Sequence, residues 1–310
     1  MARLFKALCI AATLALIAAA PSRAATPVVV SSKLSSESAM IGEMIRLVLD
    51  AAGVPTVDRL KLGATPVVRR ALLDGEVDLY VEYTGNGGLF FNMPADPAWK
   101  DFRKGYELGA RLDYAKNHIV WLTPAPASNA WALALRKDVA DAYHLHTMSD
   151  FARWVSGGGQ VVLACSAEFA NAGTLRSLED TYGFRLTSDQ LIVLAGGETT
   201  AMITAAAART DGTNTAMVYA TDGGIAAASL VVLEDDKHDQ PIYAPVPLIR
   251  EAVLRAYPQI AALVRPLMES LDRETLQRLN ERVQVDGESI ESVARSYLEQ
   301  KRLEPARLRE

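Results

Sequence analysis

From residue 27 onward, short β-branched or apolar runs alternate with longer stretches whose apolar residues recur every three or four positions. The runs "TPVVVSS", "DRLKLG" and "VDLYVEY" predict strands, and the segments 37–52 and 66–73 between them predict helices. The first helix is well signalled: "SSES" offers hydroxyl caps, Glu37 places a favourable charge in the first turn, and Met40, Met44, Leu47 and Val48 share one face. A helix over 106–114 and the strand "HIVWL" follow, and the proline-spaced "TPAPASN" then reads as a crossover. The second block repeats the grammar. "WALALR", "QVVLAC", "LIVLAGG", "TAMVYATDGG" and "LVVLEDD" are strands or strand and turn, with helices over 149–155, 174–182 and 200–209. Beyond Arg250 the pattern is helical, with breaks expected at Pro258 and Pro266. Strand-helix alternation predicts an α/β protein with mainly parallel sheets flanked by helices, in two lobes of similar size. The expected division is 25–128 with 236–310 for one lobe and 129–235 for the other, with joins near "APASNAW" and "EDDKHDQP".

The first 24 residues change the picture of where this chain works. Arg3 and Lys6 precede the apolar run "ALCIAATLALIAAA", and "PSRAA" carries small residues at Ser22 and Ala24. This is the pattern of a cleaved secretory signal, and the run is shorter than the roughly 18 residues of a spanning helix. A periplasmic location is expected. Cys9 lacks the small residues that precede a lipidated cysteine, and cleavage would leave Cys165 alone, so burial rather than a disulfide must hold the fold. Losing Arg3, Lys6 and Arg23 removes three positive charges and takes the net charge from −5 to −8. An acidic chain is a poor partner for nucleic acid or anionic lipid.

The candidate chemistry lies where strands end, because the carboxyl ends of parallel strands face the ligand crevice. Lys33 ends "VVVSSK", Tyr83 and Asn86 end "VDLYVEYTGN", Tyr219 and Asp222 end "AMVYATDGG", and Asn129 and Trp131 open the second lobe. Three aromatics and a lysine suit a molecule with a quaternary ammonium at one end and a carboxylate or hydroxyl at the other. Each ring face attracts a desolvated cation by about 2 kcal/mol without offering it a formal charge.

The segments "SSKLSSESAMIGEMI", "GEVDLYVEYTGN", "SNAWALAL", "SAEFANAGTLRSLEDTYGF", "VYATDGGI", "LEDDKHDQPIYAPVPLIREAVLRAYP" and "LNERVQVDGESIESVARSYL" resemble, in this order, the glycine betaine/choline-type substrate-binding proteins of osmoprotectant ABC importers. The resemblance spans essentially the whole mature chain. It implies the two-lobed periplasmic binding protein fold (type II), an aromatic box for the trimethylammonium group, no cofactor, no metal and no catalysis. It also implies an inner-membrane ABC permease as partner, and a monomer is expected. By that resemblance Lys33, Tyr83, Trp131 and Tyr219 match the family's lysine and box aromatics, Asn86 replaces a usual threonine, and Asn129 lies where an acidic or amide residue is common; Asp222 is a ligand-binding candidate from its place at a strand end. Two departures stand out. Near Asn171 and Ala172 the arginine that many members use for the ligand carboxylate is missing, and "GGETTAMITAAAAR" offers no tyrosine for a fourth wall.

Each residue also has a plainer alternative. Tyr83 and Tyr219 could be core tyrosines, Trp131 could pack the hinge, and Lys33 could be a solvated strand-end charge. Asn86 is balanced between turn former and ligand donor, Asp222 could cap a helix, and Glu82 is expected to hold loop backbone rather than to act as an acid. A carrier of amino acids needs a carboxylate for the ligand's ammonium and an arginine for its acid group, and an enzyme needs a nucleophile and a base; neither pair is evident. His118, His144, His146 and His238 lie at no metal-ligand spacing.

Overall fold

The computed structural model describes residues 26–171, 173–194 and 199–303; residues 1–24, expected to form a leader, and Ala172 lie outside them. The strands are β1 (Val28–Lys33), β2 (Thr56–Gly63), β3 (Leu79–Tyr83), β4 (Ile119–Trp121), β5 (Trp131–Arg136), β6 (Leu163–Ser166), β7 (Leu191–Leu194), β8 (Thr215–Tyr219), β9 (Leu230–Val232) and β10 (Pro245–Arg250). Among the described residues they form two sheets of like design, ordered β2-β1-β3-β10-β4 and β7-β6-β8-β5-β9.

In each sheet one strand pairs in parallel with two neighbours, β1 with β2 and β3, and β6 with β7 and β8. The fourth position is antiparallel: β10 lies between β3 and β4, and β5 between β8 and β9. Four of the five strands in each sheet thus run one way, so each sheet is mainly parallel, with β10 or β5 as its single reversed strand. The reason is topological. Both β5 and β10 arrive straight from the other sheet with no helix before them, so nothing turns the chain back into the parallel sense. The strand β10 is absent from the hydrophobic pattern because Pro245 and Pro247 read as breakers. Their carbonyls nonetheless accept from Ala125 and Leu122, at 2.8 and 2.9 Å.

The helix Ser36–Ala51, capped by Ser35, is buried on nearly every side between the first sheet and three C-terminal helices, Ile260–Glu269, Arg273–Gln284 and Ile290–Lys301. Pro266 does not end its helix. Val264, Leu267 and Met268 bury against Met40, Met44 and Val48, and burial of that size offsets the roughly 3 kcal/mol that an internal proline costs. On the other face of the sheet the Arg69 guanidinium makes a bidentate pair with Asp113 at 2.7 and 2.6 Å, and Asp113 also accepts from the Trp121 indole. The second sheet has its own two cores, one around Phe151, Phe169 and Leu163, the other around Met202, Ile203 and Val218.

Two crossovers join the sheets and run side by side. Asn129 N donates to Tyr243 O at 2.9 Å, and Tyr243 N to Ser128 Oγ at 3.0 Å. A third link is the helix Arg273–Gln284, which belongs to the first core yet touches the turn after β8. Gln277 Nε2 donates to Ala220 O and Asn280 Nδ2 to Thr221 O, while Gly223 N donates to Gln284 Oε1. Gly223 is needed there, because a Cβ at that position would stand 2.0 Å from Glu281 N.

Candidate functional site

The strand ends gather the residues the sequence pointed to, although not as one open cage. Trp131 and Tyr219 are directly opposite in the antiparallel pair β5 and β8, so their side chains share a face. Their ring centroids are 6.3 Å apart at 35°, and Phe169 meets the indole edge-on at 5.9 Å. Asp222 fastens the turn beyond Tyr219 by accepting from Tyr219 N at 2.8 Å.

On the first lobe, the polar groups are already engaged. Glu82, with 0% of its surface exposed, accepts from Tyr80 Oη at 2.9 Å, from Tyr83 N at 2.7 Å and from Asn86 Nδ2 at 2.7 Å, and it pairs with the Lys33 ammonium. Lys33 Nζ also lies 4.6 Å from the centroid of the Tyr83 ring. One carboxylate thus holds both Lys33 and Asn86, and the lysine covers a face of Tyr83. Burial pushes the Tyr83 hydroxyl well above the usual phenol range, and the neighbouring Glu37 charge pushes it further.

Three contributors escaped the sequence. Glu37 appeared only as a first-turn charge. In the fold its Oε1 accepts from Tyr83 Oη at 2.8 Å and from Asn129 Nδ2 at 2.9 Å, and its Oε2 from Asn280 Nδ2 at 2.8 Å. Asn280 reaches it across 243 positions of chain, a contact that periodicity cannot signal. Tyr243 lies in the second crossover, and its ring rests on Gly85, where a Cβ would come within 2.8 Å of Cε1. Burial raises its hydroxyl pKa, and Tyr219 adds to the rise. It supplies an aromatic between Tyr83 and Tyr219, which the helix Thr199–Ala208 does not provide. The signal that could have found it is its place between Pro241 and Pro245, in a segment that must cross the cleft.

Buried polar atoms without a protein partner among the described residues cluster at the same junction: Asn129 Oδ1, Asn280 Oδ1 and the Trp131 indole N–H. A cavity of about 620 Å³ also abuts the crossovers, walled by Pro126, Ala130, Ala132, Val232 and Ile242 among others. Trp131 reaches it, but Tyr83, Tyr219 and Tyr243 do not line it. Ala130, Ala132 and Ala220 face it because they alternate with Trp131 and Tyr219 along the paired strands. Among the described residues no group of acids, histidines and cysteines is placed to hold a metal ion, and no helix is long and apolar enough to cross a membrane. Cys165 is buried, and burial pushes its thiol up to about 11.

The family model for the substrate-binding domain of ABC-type glycine betaine transport systems, OpuAC, matches residues 26–300. The chain belongs to this family. As an OpuAC protein it is 50% identical over 282 residues to the glycine betaine-binding protein YehZ of Escherichia coli K12, a match covering 91% of this chain and 92% of YehZ. It is 29% identical over 310 residues to a glycine-betaine-binding protein of Pseudomonas aeruginosa, covering 98% of this chain and 96% of that one. The solved structure of apo YehZ superposes with a TM-score of 0.84 at 49% identity, covering 90% of this chain and all of that chain. The fold of this OpuAC protein is accordingly the two-lobed type II periplasmic binding protein fold.

Proposed function

We propose that this protein is the periplasmic capture component of an ABC importer for quaternary ammonium osmoprotectants such as glycine betaine or choline, and that it performs no catalysis. The trimethylammonium group sits among Trp131, Tyr219 and Tyr243, with Tyr83 beside them once Lys33 moves off its ring. The ligand's carboxylate or hydroxyl takes Lys33, Asn86 and the unpartnered Trp131 N–H. The lobes 25–128 with 236–310 and 129–235 close over it, and a membrane permease reads the closed monomer. The observation that carries this reading is the ring pair Trp131 and Tyr219, with Tyr243 beside it in the crossover, in a chain of the OpuAC family. Three faces at about 2 kcal/mol each support micromolar to millimolar binding after the cost of immobilising the ligand.

Calorimetry on the mature protein tests it, with glycine betaine, choline, proline betaine, carnitine and a panel of amino acids. Saturable heats for the methylated compounds, lost in Trp131→Ala and partly kept in Trp131→Tyr, are the expected result. Binding confined to primary amines refutes the assignment and marks an amino-acid carrier.

A further inference from the structure

We infer that Glu37 is the counter-charge for the ligand's cationic head and sets the preference of this protein for a charged head group over an uncharged one of the same shape. The inference rests on the quaternary-ammonium reading above. Glu37 is 3% exposed, and its three partners, the Tyr83 hydroxyl and the Asn129 and Asn280 amides, are all uncharged. The other buried acids of this lobe differ in this respect: Glu43 is paired with Arg46, Glu82 with Lys33, Asp113 with Arg69 and Asp239 with Lys100. What keeps Glu37 tolerable as an anion is its seat in the first turn of the helix Ser36–Ala51, whose N-terminus carries about half a positive charge. About half a negative charge remains uncompensated.

That charge faces the rings. The ladder of β5 and β8 continues through Ala130 and Ala220, so Asn129 and Trp131, two residues apart, project to the same side. Glu37 grips Asn129, which places its carboxylate about one strand repeat, roughly 7 Å, from the Trp131 and Tyr219 pair. Half a charge at that distance, at the effective dielectric of protein sites, corresponds to about tenfold in the affinity for a cation. Ring faces also favour the cation over a tert-butyl group, but their share is unchanged by a substitution at Glu37, so the change in the ratio reports the carboxylate.

The test compares glycine betaine with 3,3-dimethylbutanoate, the same molecule with carbon in place of nitrogen, by calorimetric competition on the mature protein. In Glu37→Gln the ratio of the two affinities falls about tenfold, and in Glu37→Asp, which keeps the charge, it stays within about threefold of wild type. Equal losses for both compounds, or a ratio that moves less than threefold in Glu37→Gln, overturn the inference and leave Glu37 a structural clasp. Should Glu37→Gln fail to fold, Glu37→Asp still decides, because loss of the preference with the carboxylate retained overturns it. A wild type that binds no methylated ammonium compound overturns the parent reading and this one together; wild-type binding with an unmoved ratio overturns this one alone.

Discussion

Replacing Glu82 by alanine removes the one group that holds Lys33, Asn86, Tyr80 and the Tyr83 amide at once. The Lys33 side chain is only 11% exposed, so its ammonium is left in a poorly hydrated place with no anion beside it. Breaking a buried pair from one side costs about 3–5 kcal/mol. For a chain of this size each kcal/mol moves the thermal midpoint by about 2–4 °C, so Glu82→Ala lowers Tm by roughly 10 °C. A double-mutant cycle with Lys33→Met separates the pair from the rest. Lys33→Met alone leaves Glu82 charged but still holding three neutral donors, and the double variant no longer contains an unpaired ion. The two losses are then less than additive, with a coupling of about 2 kcal/mol in denaturant unfolding. Additive losses within about 0.5 kcal/mol, or a Tm drop under about 3 °C for Glu82→Ala, refute the claim that this pair carries the turn.

Other outcomes follow from the same geometry. Tyr243→Ala weakens binding of glycine betaine about tenfold or more in calorimetry, whereas Tyr243→Phe, which keeps the face, stays within a few fold; equal losses for the two mean that the hydroxyl matters rather than the ring. Gly223→Val forces the turn after β8 away from the backbone of Asn280 and Glu281, and Tm falls by several degrees; an unchanged melting curve contradicts the close approach. Cys165, with its thiol raised from 9.0 to about 11, stays unreactive toward alkylating reagents at pH 8 until the protein is unfolded. Because the unfolded thiol ionises first, the stability this contributes is whole below pH 9 and is lost as pH rises through about 11; a stability flat across that window in denaturant titrations refutes the burial.

Much of this arrangement was written in local pattern. Lys33, Tyr83, Trp131 and Tyr219 stood out because each ends or begins a strand of strong β-character, and strand ends face the crevice. The expectation that Glu82 serves loop backbone agrees with its bond to Tyr83 N. What local pattern could not carry were contacts made only after the chain returns. Asn280 meets Glu37 because a C-terminal helix comes back to the first helix, and no spacing rule links positions that far apart. The strand β10 was concealed by two prolines, and with it the reason Tyr243 has a fixed place. Pro266 misled in the opposite direction, since the apolar face around it outweighs the lost hydrogen bond.

Tyr243 is carried by one of the two segments that cross between the sheets. Its backbone is bonded to the neighbouring crossover, and its ring lies on the glycine of the Tyr83 turn. The same residue thus ties the joint between the sheets to the loop that follows β3, so on the proposed closure a change at the joint is felt at once by a wall of the site.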